Sequence, residues 1–470
     1  MLTDLRGFLA LLEEQGDLVR ITRPCSPEFE IAAGMRKTSD IDGPALLFEN
    51  LPGYDMPVVG ALLATRRRAL WGLESTAENY FARYARGVQN PQPPRLVDRA
   101  PCQEVVLRGA DADLRRLPVC TQSRKDAGAF IAAGVLFAHD PEFGRNVAIS
   151  RMQVYDSHHL GVLFGTHQHL GLYYERAEAR GEPLPMAIAI GTDPYTLMAS
   201  QVPGSVFLDE MAVAGGLLGA PIEMVRCATI PVEVPATTEI VIEGELLPGE
   251  RRLEGPYGEF PGYYSSAAPR PIFRVTAITH RRDPIFLTAL TGMPMTDNHV
   301  MRQMTWEPIL YERIRAICPT VRDVCLTAGG AATMHAVISI RPLFKGQARD
   351  VMLAAFQTER IRPKLVTVVD DDVDPRDPLQ VEWAVAFRMQ GDRDILIIPG
   401  GIGNFLDPST PEPRISALVG IDATRPFGEP YPEVVDVPGA DEFEIPGWTD
   451  RARAGGGVAY RGVVASGAKY

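Results

Sequence analysis

The chain has 470 residues, 46% hydrophobic and 23% charged, room for about three domains of roughly 150 residues each and too apolar for an unfolded polymer. Lys+Arg 47 against Asp+Glu 59 leave a formal charge of −12, which excludes a nucleic-acid binder built on clustered positive charge. Six cysteines without a CxxC pair, and no apolar run approaching the ~18 residues of a membrane span, predict a soluble cytoplasmic protein with reduced, buried thiols and no membrane partner.

In chain order, residues 3–15 read as an amphipathic helix, with Leu5, Phe8, Leu9 and Leu12 at helical spacing and Thr3 as N-cap. Residues 45–60 read as short strands broken by Pro52-Gly53. The one basic run, Arg66-Arg67-Arg68, reads as a solvated helix face. The proline-rich stretch 90–101 reads as a linker. From 103 to 310 the pattern is mainly strand and turn, with strands at 130–137, 147–155, 186–190, 240–242 and 272–278 and helices near 170–180 and 209–218. Beyond it a helix at 306–318, strands at 321–326 and 335–340, a helix at 346–355 and a strand at 365–369 alternate, as in an α/β domain near 315–435. The tail around Gly455-Gly456-Gly457 is predicted to be mobile or docked on a neighbour.

Four segments carry candidate chemistry. In Glu254-Gly255-Pro256-Tyr257-Gly258-Glu259 two acids flank a Gly/Pro turn. Such a turn can bring both carboxylates to one point, where one pKa rises and the acid can donate a proton near neutral pH; for this segment alone a surface turn with two solvated glutamates is the favoured reading, since Gly/Pro turns with acids are common. Arg145–Val154 reads as a strand with Asn146 and Arg151 inserted in an apolar run. A buried arginine demands an anionic partner, but the odd offset puts these two residues on opposite faces unless the strand bends; an edge strand with exposed polar side chains is the alternative. Gly165-Thr166-His167-Gln168-His169 holds a His-x-His pair suited to a metal or a phosphate, and Asp209-Glu210 opens a helix, where acids sit comfortably without any function.

Taken together, these segments resemble the UbiD family of decarboxylases. The likeness begins with Thr3–Leu9, Gly16-Asp17-Leu18 and Gly43–Asn50. It continues through Pro235-Ala236, Glu239–Gly244 and Glu254–Gly262 to Val368–Val373 and Gly420–Thr424, covering about residues 1–425. The resemblance implies an α/β (α+β) fold with a small N-terminal α/β domain (1–100), a central split β-barrel that binds the flavin (101–312), a C-terminal α/β domain (313–440) and a tail (441–470). It implies prenylated FMN as cofactor, with Mn²⁺ or Mg²⁺ and K⁺ as accompanying ions. It further implies a flavin prenyltransferase that supplies the cofactor, a small carboxylic acid as substrate, and a homodimer or homohexamer. By the same resemblance Asn146, His169 and Glu210 hold the metal that bridges the flavin phosphate, and Ala148, Ile149, Ser150, Arg151 and Gln168 contact the cofactor. Arg151 and Glu254 form an ion pair beside the flavin, leaving Glu259 to deliver the proton. One departure stands out: some relatives carry a lysine just before the Gly-x-Asp-Ala-Thr block, whereas here 416–420 reads Ser-Ala-Leu-Val-Gly, with Leu418 nearest by spacing.

The implied activity is reversible, non-oxidative decarboxylation of an aromatic, heteroaromatic or α,β-unsaturated acid. Loss of CO₂ from an sp² carbon leaves an in-plane electron pair, and side chains alone cannot stabilise it, so an electron sink is needed. A pyridoxal Schiff base requires a lysine in a suitable setting, and the chain has only Lys37, Lys125, Lys345, Lys364 and Lys469. Competing readings are a flavin oxidoreductase with unmodified FMN on a similar barrel, which needs no acid pair, and a catalytically silent assembly subunit. The loop Thr288–His299 reads as leaving a strand end, where Asn298 or His299 would meet substrate; an ordinary connection fits it too.

Overall fold

The computed structural model describes residues 2–165, 168–358, 361–410, 414–439 and 443. His167 of the His-x-His pair and the glycine-rich tail lie outside them. The chain forms two compact units, one ending at Pro308 and one beginning at Ile309.

The first unit opens on the helix Leu5–Glu14, which buries the expected Leu5, Phe8, Leu9 and Leu12. Its cap is Asp4 rather than Thr3: the Asp4 carboxylate accepts from Gly7 N at 2.8 Å, satisfying one of the free first-turn amides. A four-stranded sheet follows, in the order Leu18–Ile21, Ala45–Phe48, Val58–Gly60 and Phe286–Leu287. Its last strand comes from far down the chain, so the first hundred residues do not complete their own sheet. The helix Arg66–Gly72 overturns the solvated reading of the basic run. Arg68 is fully buried, donating to Gly43 O at 2.6 Å, Ala61 O at 2.8 Å, Leu62 O at 3.0 Å and Asp17 Oδ2 at 3.2 Å. Arg67 holds Asp17 and Asp42, and Arg66 holds the buried Glu307. A buried guanidinium is tolerable because its donors find acceptors, mostly carbonyls here. The proline-rich stretch is more than a linker: Arg95–Leu96 pairs in parallel with Glu223–Arg226.

The large sheet of this unit has nine strands. Along its path run Phe130–Ile131, Met152–Val154, His159–Val162, Ala268–His280, Ile240–Glu254, Leu184–Ile190, Val135–Asp140 and Gly144–Ile149, with Val105–Arg108 added beside Ala268–His280. Gly144–Ile149 lies at one end of this path and Met152–Val154 lies next to the other, yet only Ser150 and Arg151 separate them in sequence. Two residues cannot span an open sheet of this width, since a residue covers at most about 3.6 Å. The sheet therefore curls until its ends meet, as a split barrel does. The seam is pinned by Leu163, whose amide donates to Arg151 O at 3.3 Å and whose carbonyl accepts from Ser150 Oγ.

The second unit is an α/β sheet in the order Val321–Leu326, His335–Ile340, Leu365–Asp370, Ile415–Ala423 and Ile395–Ile402. The three middle strands are parallel and both outer pairings antiparallel. The helices Gln347–Phe356 and Pro378–Arg388 accompany it, and Val337, Val369, Val373, Val381, Ala384 and Ala423 form one of its cores. Leu418, at the position where relatives place a lysine, is buried in Ile415–Ala423. All six cysteines are free, five of them buried. No helix among the described residues is long and apolar enough to cross a membrane.

Candidate active site

The seam of the barrel holds the first group of site residues. Asn146 lies on Gly144–Ile149 opposite Ala138 and is buried, whereas Ala148, Ile149 and Ser150 are half-buried. The predicted single strand over 147–155 is interrupted at Ser150–Arg151. That break lets the odd-offset Asn146 and Arg151 depart from the opposite faces an unbroken strand would give them.

The second element is the hairpin Ile240–Glu254/Ala268–His280, whose tip carries both acids. Arg151 reaches it with a bidentate fork: Nε and Nη2 each lie 2.8 Å from the Glu254 oxygens. Nη1 donates to Glu259 Oε1 and, at 2.9 Å, to Ser265 Oγ. All three charged residues are buried, with Glu254 fully so. The structure thus corrects one expectation: Glu259 shares Arg151 with Glu254. Four of the five guanidinium N–H groups have protein acceptors, leaving one hydrogen on Nη2 for a further anion.

A polar frame fixes the turn between the acids. Gly255 N donates to Gln153 Oε1 at 2.9 Å, Gly258 N to Asp126 Oδ1 at 2.9 Å and Ala127 N to Pro256 O at 3.0 Å. Tyr257 is fully buried, with its hydroxyl donating to Gln122 Oε1 at 3.2 Å and its ring 5.2 Å below the Arg151 guanidinium. Thr291 Oγ1 closes on Gly258 O at 2.8 Å. Of these, Gln153 could have been noticed in sequence, two positions from Arg151 and so on the same side of a strand; Gln122, Asp126, Ser265 and Thr291 carry no local signal.

One cation between two buried carboxylates leaves a surplus negative charge. Glu254 takes the fork, and burial raises the Glu259 pKa above the usual carboxylate range, against the pull of Arg151 and Arg302. Arg302 stacks on the Phe260 ring at 3.9 Å, and burial lowers its own pKa to about 10, which still leaves it charged at neutral pH. His299 sets its ring edge-on to that of Phe260, with centroids 6.3 Å apart. It is fully buried, with Nε2–H donating to Phe260 O at 2.8 Å and Nδ1 accepting from Thr296 Oγ1 at 2.9 Å and Thr296 N at 3.2 Å. A carbonyl can only accept, which fixes the tautomer.

The third group surrounds Glu210, first residue of the helix Glu210–Leu218. Its oxygens accept from Asn146 Nδ2 at 3.1 Å and Val147 N at 3.0 Å. His169 is buried at the start of the helix His169–Ala179, and the exposed Gln168 precedes it, its side chain accepting from Gly165 N at 2.7 Å. One turn on from His169, Tyr173 stacks on Phe143, and its buried hydroxyl has no hydrogen-bond partner among the described residues. Burial and the charge of Glu210 both raise the Tyr173 pKa, so this face of the helix looks toward Glu210.

Among the described residues no cluster of three His, Cys, Asp or Glu is arranged to hold a metal. The expected donor set contains only two of those types, His169 and Glu210, completed by an amide. A narrower test is whether Glu210 needs a cation. It is 3% exposed, has amide donors but no ion pair among the described residues, and burial pushes its pKa up to about 8. A buried carboxylate so placed is satisfied by a proton or by a metal. Oxygen from Glu210 and Asn146 with nitrogen from His169 suits a Mn²⁺-like ion, so the residues fit the group.

Comparison with known proteins finds one family over most of the chain. The N-terminal, Rift-related and C-terminal domain models of 3-octaprenyl-4-hydroxybenzoate carboxy-lyase match residues 9–87, 95–294 and 299–423. The UbiD-class enzyme HmfF from Pelotomaculum thermopropionicum, in complex with FMN, superposes with a TM-score of 0.88 at 42% identity, covering 94% of this chain and 99% of that one. An evolved dimeric form of HmfF in complex with prFMN gives 0.86 at 40% identity, with the same coverage of 94% and 99%. Vanillic acid decarboxylase from Sedimentibacter hydroxybenzoicus gives 0.84 at 31% identity, covering 96% of this chain and 98% of that one. A curled barrel with an arginine and two acids, and family matches over the barrel and on either side of it, identify the chain as a member of the UbiD family of carboxy-lyases.

Proposed function

We propose that the protein decarboxylates, reversibly and without oxidation, an aromatic, heteroaromatic or α,β-unsaturated carboxylic acid, using prenylated FMN. The observation that carries this reading is the buried Arg151–Glu254–Glu259 cluster, an acid pair that hydride transfer to unmodified FMN has no use for. When bound, the prenylated flavin supplies the electron sink for the pair left by departing CO₂. Asn146, His169 and Glu210 would hold a divalent cation, Mn²⁺ or Mg²⁺, against its phosphate, with Ala148, Ile149, Ser150 and Gln168 bordering it.

The rest is done by this chain's own side chains. Arg151 offers its remaining Nη2 hydrogen to the substrate carboxylate, and Glu254 fixes the guanidinium plane through both oxygens. Glu259 accepts from Arg151 on Oε1, so its proton resides on Oε2, ready for the carbon that loses CO₂. Tyr257 and Phe260, both buried, keep bulk water from that proton. A cytoplasmic homodimer or homohexamer, supplied with cofactor by a flavin prenyltransferase, completes the reading.

The test is co-expression with a flavin prenyltransferase, mass spectrometry of the extracted cofactor, and a panel of such acids assayed for CO₂ release and product H/D exchange. Prenylated FMN together with turnover of at least one acid is expected. Active enzyme that holds only FMN would favour the oxidoreductase.

A further inference from the structure

Beside Asn146 and Glu210 a second pair of residues joins the same strand to the same helix. Arg145 Nη1 donates to Asp209 Oδ2 at 2.7 Å, and Nη2 donates to Glu233 Oε2 at 2.6 Å. Asp209 is the N-cap of Glu210–Leu218, its Oδ1 accepting from Met211 N at 2.9 Å. Glu233 begins the strand Glu233–Pro235, so one guanidinium ties together three elements. The side chain of Arg145 is only 16% exposed, which separates it from the loose surface pairs that contribute little.

The charges explain what this achieves. Asp209 and Glu210 are adjacent carboxylates at one helix start. If both turned toward a cation, the donor set would change in charge and geometry. Arg145 engages the Asp209 oxygen that the cap leaves open, so Asp209 stays on the cap and Glu210 alone faces Asn146. We propose that Arg145 is a positioning residue for the cation site, fixing the start of this helix so that Glu210 and Asn146 meet. The inference rests on the reading of Asn146, His169 and Glu210 as cation ligands.

The test is a Mn²⁺ titration of purified full-length protein, with and without FMN, read by the EPR signal of free Mn²⁺ alongside thermal unfolding without metal. Arg145→Met is expected to weaken Mn²⁺ binding by about 10- to 100-fold, the usual effect of losing a group that orients a ligand. Its metal-free melting temperature should fall only modestly, with the protein still folded, because Asp209 and Glu233 keep side-chain exposures of 35% and 27% and can be solvated. Arg145→Lys, a point charge that cannot fork between two carboxylates, should fall between. Should Arg145→Met not fold, Asp209→Asn keeps the cap but drops the charge that holds Arg145, and is expected to shift binding in the same direction. Wild-type Mn²⁺ affinity in folded Arg145→Met or Asp209→Asn overturns the proposal. Glu210→Ala separates the two levels. If it binds Mn²⁺ as the wild type does, the cation site itself is wrong; if it loses Mn²⁺ while Arg145→Met keeps it, only the role of Arg145 falls.

Discussion

Glu259 and Glu254 are the same residue type five positions apart, and their surroundings assign them different work. Glu254 spends both oxygens on Arg151, whereas Glu259 gives Arg151 one oxygen and is raised in pKa by burial. Glu259→Gln keeps volume and a hydrogen bond but carries no transferable proton, so turnover should fall by about 10²–10⁴ with flavin content unchanged. Product-proton exchange with solvent should vanish. On the proposed reading the protonated acid is the active form, so activity should decline as pH rises through the raised Glu259 pKa; a steady-state pH profile measures this. Glu254→Gln should also be severe, but by loosening Arg151, and it should retain some exchange. If Glu259→Gln exchanges protons normally, the donor lies elsewhere.

At the scale of the element, the turn between these acids depends on one glycine. Gly255 sits at φ +84°, and a Cβ there would lie 3.3 Å from Ser266 O and 3.4 Å from Arg151 Nη2. Gly249, on the same long strand, has φ +71° and open space around it. Alanine at either position incurs the left-handed backbone cost of about 1–2 kcal/mol, but only Gly255→Ala also crowds the arginine. Both variants should therefore melt lower, Gly255→Ala by the larger amount, and Gly255→Ala alone should lose most of its turnover. Equal activities would mean that Arg151 tolerates the displacement. The hairpin also shows where the sequence stops being readable. Only 240–242 and 272–278 look like strands, because Gly249–Leu253 is exposed and charged and breaks the apolar pattern while the ladder runs on beneath it. Likewise the acids around a Gly/Pro turn and the arginine in an apolar run could be read locally. Their convergence could not, because it depends on Gln153, Asp126 and Thr291 arriving from other elements. The basic run misled for a related reason: the acceptors of Arg68 are backbone carbonyls, which no side-chain pattern reveals.

At the scale of the whole molecule, the second unit has a charge cluster of its own. Arg388, almost fully buried, donates from Nη1 to Asp370 Oδ2 at 2.7 Å and to Asp372 Oδ1 at 2.9 Å, and from Nη2 to Asp372 Oδ2 at 2.9 Å. Removing it leaves both carboxylates with the more distant Arg425, 3.4 Å from Asp370 and 4.0 Å from Asp372, so Arg388→Ala should destabilise this unit in chemical denaturation by less than the ~3–5 kcal/mol of a buried charge left unpaired. Hydrogen bonding to Arg388 holds the Asp372 pKa down. The stability this confers is present above the ordinary aspartate range and is lost as pH falls through the lowered value. The deficit of Arg388→Ala should therefore be larger at pH 7 than well below the ordinary aspartate value of about 3.9; a deficit independent of pH would mean that lost packing, not charge, is responsible.

The seam at Ser150–Arg151 makes the first unit resemble a clasp whose pin is also the working part. Arg151 belongs by its backbone to the join between the two ends of the sheet, and by its side chain to the hairpin that carries both acids. Loosening the seam at Arg151 should therefore also loosen the cluster that holds the proposed proton donor. Hydrogen exchange at the seam amides should change with the ionisation of Glu259, so a change at the proposed proton donor can be read from the breathing of the barrel without any substrate present.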